Sequence, residues 1–510
     1  MEGKCDPVIA LLDLGKPAVQ ILSGIPEGWS PGLVRFWCNG VVGIVYQNTP
    51  RKLGKVYCSN RISQLFYLDF QGNFRILRSE MDGQYLGITG LTIQGESGRL
   101  VWTERTLLSQ RLFPGPHEAA VRVMTLDSLS GTPIEVFSAD QPVYTGEGEA
   151  CPGLYRPTIP RRCWIDANTF FLSSPVGQTL YPMRVNCVQK TVEVLSGDSN
   201  KGVTVLDVHE GIILGSRSDP VTSSHLVIAK VSDSSIQFSP VFPSSSIPEI
   251  TWKSFIIKPE DSSFPFAAFF VGPTDRKEGP LIVWPHGGPH GVLTTTFTNT
   301  ALFFNKLGFS LLFVNFRGST GFGDENVSGL MGNVGDHDVK DCHMARDKCL
   351  AEVSGLDANK VFLMGGSHGG FLVTHLAGQF PDSYKGVVAR NPVTNIATMA
   401  EVTDIPDWTF NEAGLDYSWL HGNPAVYQEM WVSSPISNIG KIEAPVFLMI
   451  GKNDLRVPPS QGKQFYHSLK ALGKDVRMNV YDDNHPLGKP VHDADVMINA
   501  ATFFMEIQQA

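Results

Sequence analysis

The residues whose spacing could do chemistry lie in the second half of the chain. Residues 360–371, KVFLMGGSHGGF, run from an apolar stretch into Gly365-Gly366-Ser367-His368-Gly369 and on into a segment of helical pattern. A serine between a buried strand and a helix start sits on a sharp turn that lifts its hydroxyl clear of the sheet. The glycines let the two backbones approach closely, and free N–H groups at the helix start favour negative charge there. Taken alone, G-x-S-x-G is also an ordinary glycine-rich turn with a capping serine. The preceding strand, the following helix and the downstream partners favour a nucleophile at Ser367.

A serine hydroxyl attacks only when a base takes its proton. On a strand–turn–helix scaffold of this kind, an acid and then a histidine follow in chain order. IGKNDLRVP places Asp454 three residues beyond the apolar run 445–451, on a loop at the carboxyl edge of the sheet. The competing reading makes Asp454 a cap for a helix beginning near Pro458. NVYDDNHPLGKPVHDAD places His485 four residues past Tyr481, with His492 in the same loop. His492, beside Asp493, fits the start of the terminal helix, so His485 is the expected base. Donors to a developing oxyanion are expected from the backbone N–H of His368 and from HGGPHG, 286–291, with Gly288 preferred and Gly287 the alternative. Arg390 is a candidate substrate-binding residue that could pair with a carboxylate of substrate or of the protein. The chemistry calls for no metal and no cofactor.

These residues must be positioned by strands and helices. After residue 250, apolar runs at 266–272, 281–286, 310–316, 360–365, 386–390, 445–451 and 476–481 alternate with helix-length segments near 293–307, 335–353, 368–380, 459–472 and 493–507. That alternation predicts a mostly parallel sheet with helices on both faces, the α/β-hydrolase arrangement. Apolar residues in NIATMAEVTDIPDWTF, 395–410, either line a substrate pocket or pack a helix.

Residues 1–245 have a different rhythm. Short strands such as QLFYLDF (64–70), RLVWTER (99–105) and TFFLSSP (169–175) are punctuated by Gly, Pro, Asn, Asp and Ser. Their patterns recur at 33–80, 88–138, 155–198 and 200–245, a period of about 45–50 residues that suggests propeller blades, with a β-sandwich as the other reading. Residues 7–23 read as half a blade, so the all-β domain is expected to be an incomplete propeller. The boundary is placed in SPVFPSSSIPEI, 239–250, giving domains 1–245 and 250–510.

A net charge of −9 without any basic block argues against nucleic acid as a partner. The eight cysteines form no C-x-x-C pair and are expected to be reduced, mostly buried thiols. The N-terminal apolar stretch is too short for a signal sequence, and no run of 18 apolar residues occurs, so a soluble cytoplasmic protein without membrane contact is expected.

HGGPHG (286–291), NFRGSTGFG (315–323), GGSHGGF (365–371) and RNPVTNIATM (390–399) resemble the prolyl oligopeptidase family of serine peptidases. His368 after the nucleophile, GNVGDHDVKD (332–341) and TDIPDW (403–408) point to its branch of exopeptidases acting on acylated N-termini. The resemblance covers nearly the whole hydrolase half and, more loosely, the N-terminal half. It implies a β-propeller capping the hydrolase and removal of an N-acylated residue from short peptides, with a homo-oligomer among the expected assemblies. Ser367, Asp454 and His485 fall on the family's triad positions, and Gly288 and His368 on its oxyanion positions. Two departures stand out. The propeller half is shorter by about two blades, as in a shortened isoform or an incomplete gene model, which would expose sheet edges. The His485 loop carries Pro486 where a small, flexible residue is usual. The alternatives are a broad-specificity serine esterase, or a non-catalytic, unstable truncated relative acting through subunit binding.

Overall fold

The computed structural model describes residues 7–49, 52–55, 58, 60–106, 119–144, 150–198, 201–231, 236–244, 246–262, 264–417 and 423–509. It separates into two compact units, Met1–Arg217 with His225–Phe242, and Ser218–Ser224 with Pro243–Ala510. The break thus falls inside the Ser/Pro-rich stretch, and the turn at 218–224, read in the sequence as part of the first half, groups with the second. Cys5 and the side chain of Cys151 lie outside the described residues. Cys38, Cys58, Cys163, Cys187, Cys342 and Cys349 are free thiols, of which Cys38 is exposed.

The first unit consists of small antiparallel sheets. β1 (Ile9–Asp13) and β2 (Ala18–Leu22) form a hairpin where the sequence suggested half a blade. A four-stranded sheet follows from β3 (Trp29–Trp37), β4 (Gly40–Gln47), β5 (Ser63–Asp69) and β6 (Phe74–Arg78). β7 (Glu80–Met81), β8 (Gln84–Ile93), β9 (Leu100–Thr106), β10 (Arg122–Leu126) and β11 (Ile134–Phe137) form a five-stranded one. β12 (Pro142–Tyr144) pairs with β13 (Ala150–Pro152). β14 (Thr169–Val176), β15 (Thr179–Asn186) and β16 (Thr191–Val194) make three strands, and β17 (Val203–His209), β18 (Ile212–Asp219), β19 (Thr222–Lys230) and β20 (Ser239–Pro240) make four. Strands pair with their chain neighbours, as short turns between β-branched runs dictate. Successive sheets bury their faces on one another: Trp37, Val42, Ile44 and Leu65 share a core with Leu86, Ile88, Trp102 and Met124. Phe171 and Leu195 do the same with Val203, Ile213 and Val227. This is the propeller architecture of stacked antiparallel blades.

The second unit holds an eight-stranded sheet in the order β21-β22-β24-β23-β25-β26-β27-β28. Its strands are β21 (Ile250–Ile257), β22 (Phe266–Pro273), β23 (Gly279–Pro285), β24 (Ser310–Asn315), β25 (Leu356–Gly366), β26 (Val387–Arg390), β27 (Val446–Gly451) and β28 (Val476–Tyr481). β21 pairs antiparallel with β22, and β22 antiparallel with β24; the remaining pairings are parallel. β21 is absent from the sequence reading because it lies at an edge and alternates buried with exposed residues, so it shows no continuous apolar run.

The helices are α1 (Asn299–Lys306), α2 (Asp324–Ser328), α3 (His337–Glu352), α4 (His368–Gln379), α5 (Ile396–Met399), α6 (Pro406–Glu412), α7 (Pro424–Val432), α8 (Ser460–Ala471) and α9 (Pro490–Gln509). α1 begins later than the apolar pattern suggested, because Thr298 caps it by accepting the Ala301 N–H. α5 to α7 fill the stretch between β26 and β27. Ile396, Met399, Trp408 and Phe410 there are buried, so these side chains pack helices. Among the described residues, no helix is long and apolar enough to cross a membrane.

Candidate active site

Ser367 joins β25 to α4 with φ 58° and ψ −124°, a conformation that costs a residue bearing a Cβ of order 1–3 kcal/mol. Such strain persists only where the surroundings over-determine it. The Ser367 N–H donates to the Arg390 carbonyl at 3.0 Å, and the Ser367 carbonyl accepts from Phe371 N–H at 3.0 Å. Close packing requires the flanking glycines: a Cβ on Gly365 would meet the Gly369 carbonyl at 2.3 Å, and one on Gly369 the Pro285 carbonyl at 2.5 Å. The elbow is therefore wedged against the end of β23.

The loop after β23 lies beside the serine, since a Cβ on Gly287 would stand 3.3 Å from Ser367 Cβ. Among the described residues, the backbone N–H groups of Gly287, Gly288 and His368 find no hydrogen-bond acceptor. Unpaired N–H groups beside a nucleophile are the donors an oxyanion needs. The loop is braced from three sides. Trp408 Nε1 donates to the Gly288 carbonyl at 3.2 Å. His290 Nδ1 lies 2.8 Å from the Gly318 carbonyl, and its Nε2 lies 3.4 Å from the buried Glu412 carboxylate. His286 Nδ1 is 2.6 Å from the Gly287 carbonyl and its Nε2 is 2.8 Å from Ser319 Oγ. Burial lowers the His286 pKa to about 4, so its ring is neutral and Ser319 donates to it.

Asp454 is buried on the loop after β27, and its two oxygens divide the work. Oδ1 accepts the N–H groups of Arg456 at 2.8 Å and Val457 at 2.9 Å, forming the local turn. Oδ2 lies 2.6 Å from Nδ1 of His485, on the loop after β28. Asp454 does not cap the helix that follows, since α8 begins at Ser460 with Pro459 at its N-cap position and no side-chain cap; its Oδ1 closes the preceding turn while its Oδ2 faces His485. His492 sits in the first turn of α9 and pairs instead with Asp483, at 3.0 Å. No hydrogen bond joins Ser367 Oγ to the His485 ring in this structure. Contacts of this kind often tighten only when substrate is bound.

Arg390 meets Ser367 through its backbone carbonyl. Its guanidinium Nε is buried against Gly366 and makes no hydrogen bond; the carboxylate whose charge acts on it is Asp493. Burial pushes that guanidinium below its ordinary pKa. Among the described residues, no group of three or more His, Cys, Asp or Glu is arranged to hold a metal ion.

Four residues have contacts at this site that the sequence reading did not foresee: Asp338, Asn391, Trp408 and Glu412. Asp338 Oδ2 lies 2.8 Å from His368 Nε2, while Oδ1 accepts N–H groups from Gly335 and Val339. The first three lie inside the family-like stretches 332–341, 390–399 and 403–408, which was the available signal.

The profile of the prolyl oligopeptidase family matches residues 295–509. The acylamino-acid-releasing enzyme of Rattus norvegicus is 33% identical over 98% of this chain and 69% of its own length. The human enzyme of that name is 32% identical with the same coverage. Among solved structures, the acylaminoacyl peptidase of Pyrococcus horikoshii matches with a TM-score of 0.63 at 15% identity, covering 98% of this chain and 84% of its own. A puromycin-hydrolyzing peptidase of Mycobacterium tuberculosis matches with a TM-score of 0.66 at 16% identity, covering 97% and 81%.

Proposed function

As the chain belongs to the prolyl oligopeptidase family of serine peptidases and, within it, to the acylamino-acid-releasing enzymes, it is a serine hydrolase, and we propose that it releases an N-acylated amino acid from the blocked N-terminus of short peptides. Ser367 is the nucleophile, His485 the base, and Asp454 the acid that orients it. His485 Nε2 takes the Ser367 proton as the oxygen attacks the carbonyl carbon of the acylated residue. Asp454, accepting from Nδ1–H, selects the tautomer that leaves Nε2 free. The N–H groups of Gly288 and His368 stabilise the oxyanion. On collapse the C–N bond breaks, the proton on His485 passes to the leaving amine, and an acyl ester remains on Ser367. A water then gives its proton to His485, attacks the ester and releases the acyl-amino acid, and the proton returns to Ser367. Arg390 enters through its carbonyl, which accepts the Ser367 N–H; its guanidinium is the candidate partner for a substrate carboxylate.

The observation that best supports this reading is the 2.6 Å contact between His485 Nδ1 and Asp454 Oδ2, made by loops that leave the same edge of the sheet as the Ser367 elbow. A cytosolic setting and self-association belong to the same proposal, and fractionation and light scattering test them. Ser367→Ala should abolish both hydrolysis of an acetyl-alanyl chromogenic substrate and labelling by a fluorophosphonate. Wild-type labelling of that variant would remove Ser367 from the mechanism.

A further inference from the structure

Asn391 follows Arg390 at the end of β26 and is buried. Its backbone φ is +40°, a left-handed conformation that asparagine tolerates better than most residues. Its backbone N–H donates to the Met449 carbonyl in β27 at 2.9 Å. Its side-chain Oδ1 accepts the Gly451 N–H at 2.7 Å, three residues before Asp454. Its Nδ2 donates to the backbone carbonyl of His485 at 2.8 Å. Exchanging the amide oxygen and nitrogen would set donor against donor at Gly451 and acceptor against acceptor at His485, so the orientation is unique.

We propose that Asn391 is a positioning residue that sets the His485 loop against the nucleophile through this amide bridge. The inference rests on the reading of Ser367, His485 and Asp454 as the catalytic set. The physical reason is the convergence of three elements on two adjacent residues. Arg390 grips the Ser367 N–H with its carbonyl. Asn391 grips the end of the strand that leads to Asp454, and also the main chain of the base. The His485 loop has no regular structure between β28 and α9, so its register relative to the serine depends on such side-chain ties. Displacement by about 1 Å is enough to cost about 100-fold in rate. The site demands three properties at once: a left-handed backbone, an acceptor and a donor at fixed reach. Aspartate lacks the donor, glutamine is one methylene too long, and glycine keeps only the backbone freedom.

Two variants separate positioning from folding. Asn391→Gly preserves the backbone conformation and removes both side-chain bonds. Asn391→Asp preserves the acceptor for Gly451 and removes the donor to His485. Each should keep KM for an acetyl-alanyl substrate within about twofold while kcat falls about 10- to 100-fold. Fluorophosphonate labelling should reach the same final stoichiometry per folded chain but at a correspondingly lower rate. A merely structural role would reduce Tm and the fraction of labelled sites and leave the rate per labelled site unchanged. Wild-type kcat per labelled site in either folded variant overturns the proposal, as does failure of both to fold. Ser367→Ala, run alongside, reports separately on the catalytic reading, because persistent labelling there would sink that reading whatever the Asn391 variants do.

Discussion

Oδ2 of Asp338 stands 2.8 Å from Nε2 of His368, and both side chains are buried, so the residue directly after Ser367 is anchored by an Asp–His pair of its own. The His368 ring stacks on Phe371 at 4.8 Å and meets Trp408 edge-on at 6.1 Å. The pair ties α4 to α3 at the point where the backbone leaves its strained turn.

Removing that anchor should be costly. Asp338→Ala strips His368 of its partner and leaves the Gly335 and Val339 N–H groups without theirs, a loss of about 3 kcal/mol. Asp338→Asn keeps an acceptor and should lose less. Urea midpoints of the three proteins give the order, and equal midpoints for wild type and Asp338→Ala would show that the pair carries no stability.

The proposed role of Asp454 as orienting acid has a distinct signature. Asp454→Asn retains the side-chain oxygen for the Arg456 and Val457 N–H groups but presents an amide to His485, favouring the wrong tautomer. A fall in kcat of about 10⁴-fold is expected, the size seen when a triad aspartate is so replaced. His492→Ala should stay within a few-fold of wild type. Reversal of that order would transfer the base to residue 492.

Trp408→Phe tests the bracing of the oxyanion loop. The ring is kept and the donor to the Gly288 carbonyl is lost, at a net cost of about 0.5–1.5 kcal/mol. If that cost is felt at the N–H groups of the loop, kcat drops up to about 10-fold at constant KM. A change confined to KM would instead make Trp408 a ground-state binding residue.

Like buried His286, buried His375 is expected to contribute to acid sensitivity. Burial lowers its pKa to about 4, and its ring lies between the Ser433 carbonyl and Gln379. The unfolded state, with a value near 6.5, binds more protons between those limits. Stability from this group is therefore complete above about 6.5, and is lost as pH falls towards 4. His375→Gln should flatten the decline in urea midpoint between pH 7 and pH 5 relative to wild type; parallel profiles would assign the decline to other groups.

Local chemistry made part of this molecule legible in advance. Gly365 and Gly369 around Ser367 mark a strand–turn–helix elbow, because only glycine fits where the two backbones come within contact. The apolar runs from 266 to 481 mark strands covered on both faces. Asp454 and His485 were singled out as candidates by their distance past strand ends, which the chain itself records. β21 and α5 to α7 were not legible, being an edge strand with an alternating pattern and short helices whose burial comes from tertiary packing.

Asn391 marks the limit most clearly. Its motif drew attention, yet its partner His485 is 94 residues away in the chain. The two meet only because β26, β27 and β28 lie side by side in that order. Asp338 with His368, and Trp408 with Gly288, are likewise separated by 30 and 120 residues. The amino-acid sequence by itself determined the elbow at Ser367 and the strand ends that carry Asp454 and His485, since those depend on neighbours along the backbone. Tertiary structure alone decided which buried polar side chains hold them in place, since a hydrogen bond depends on distance and direction in space, and the sheet order sets both.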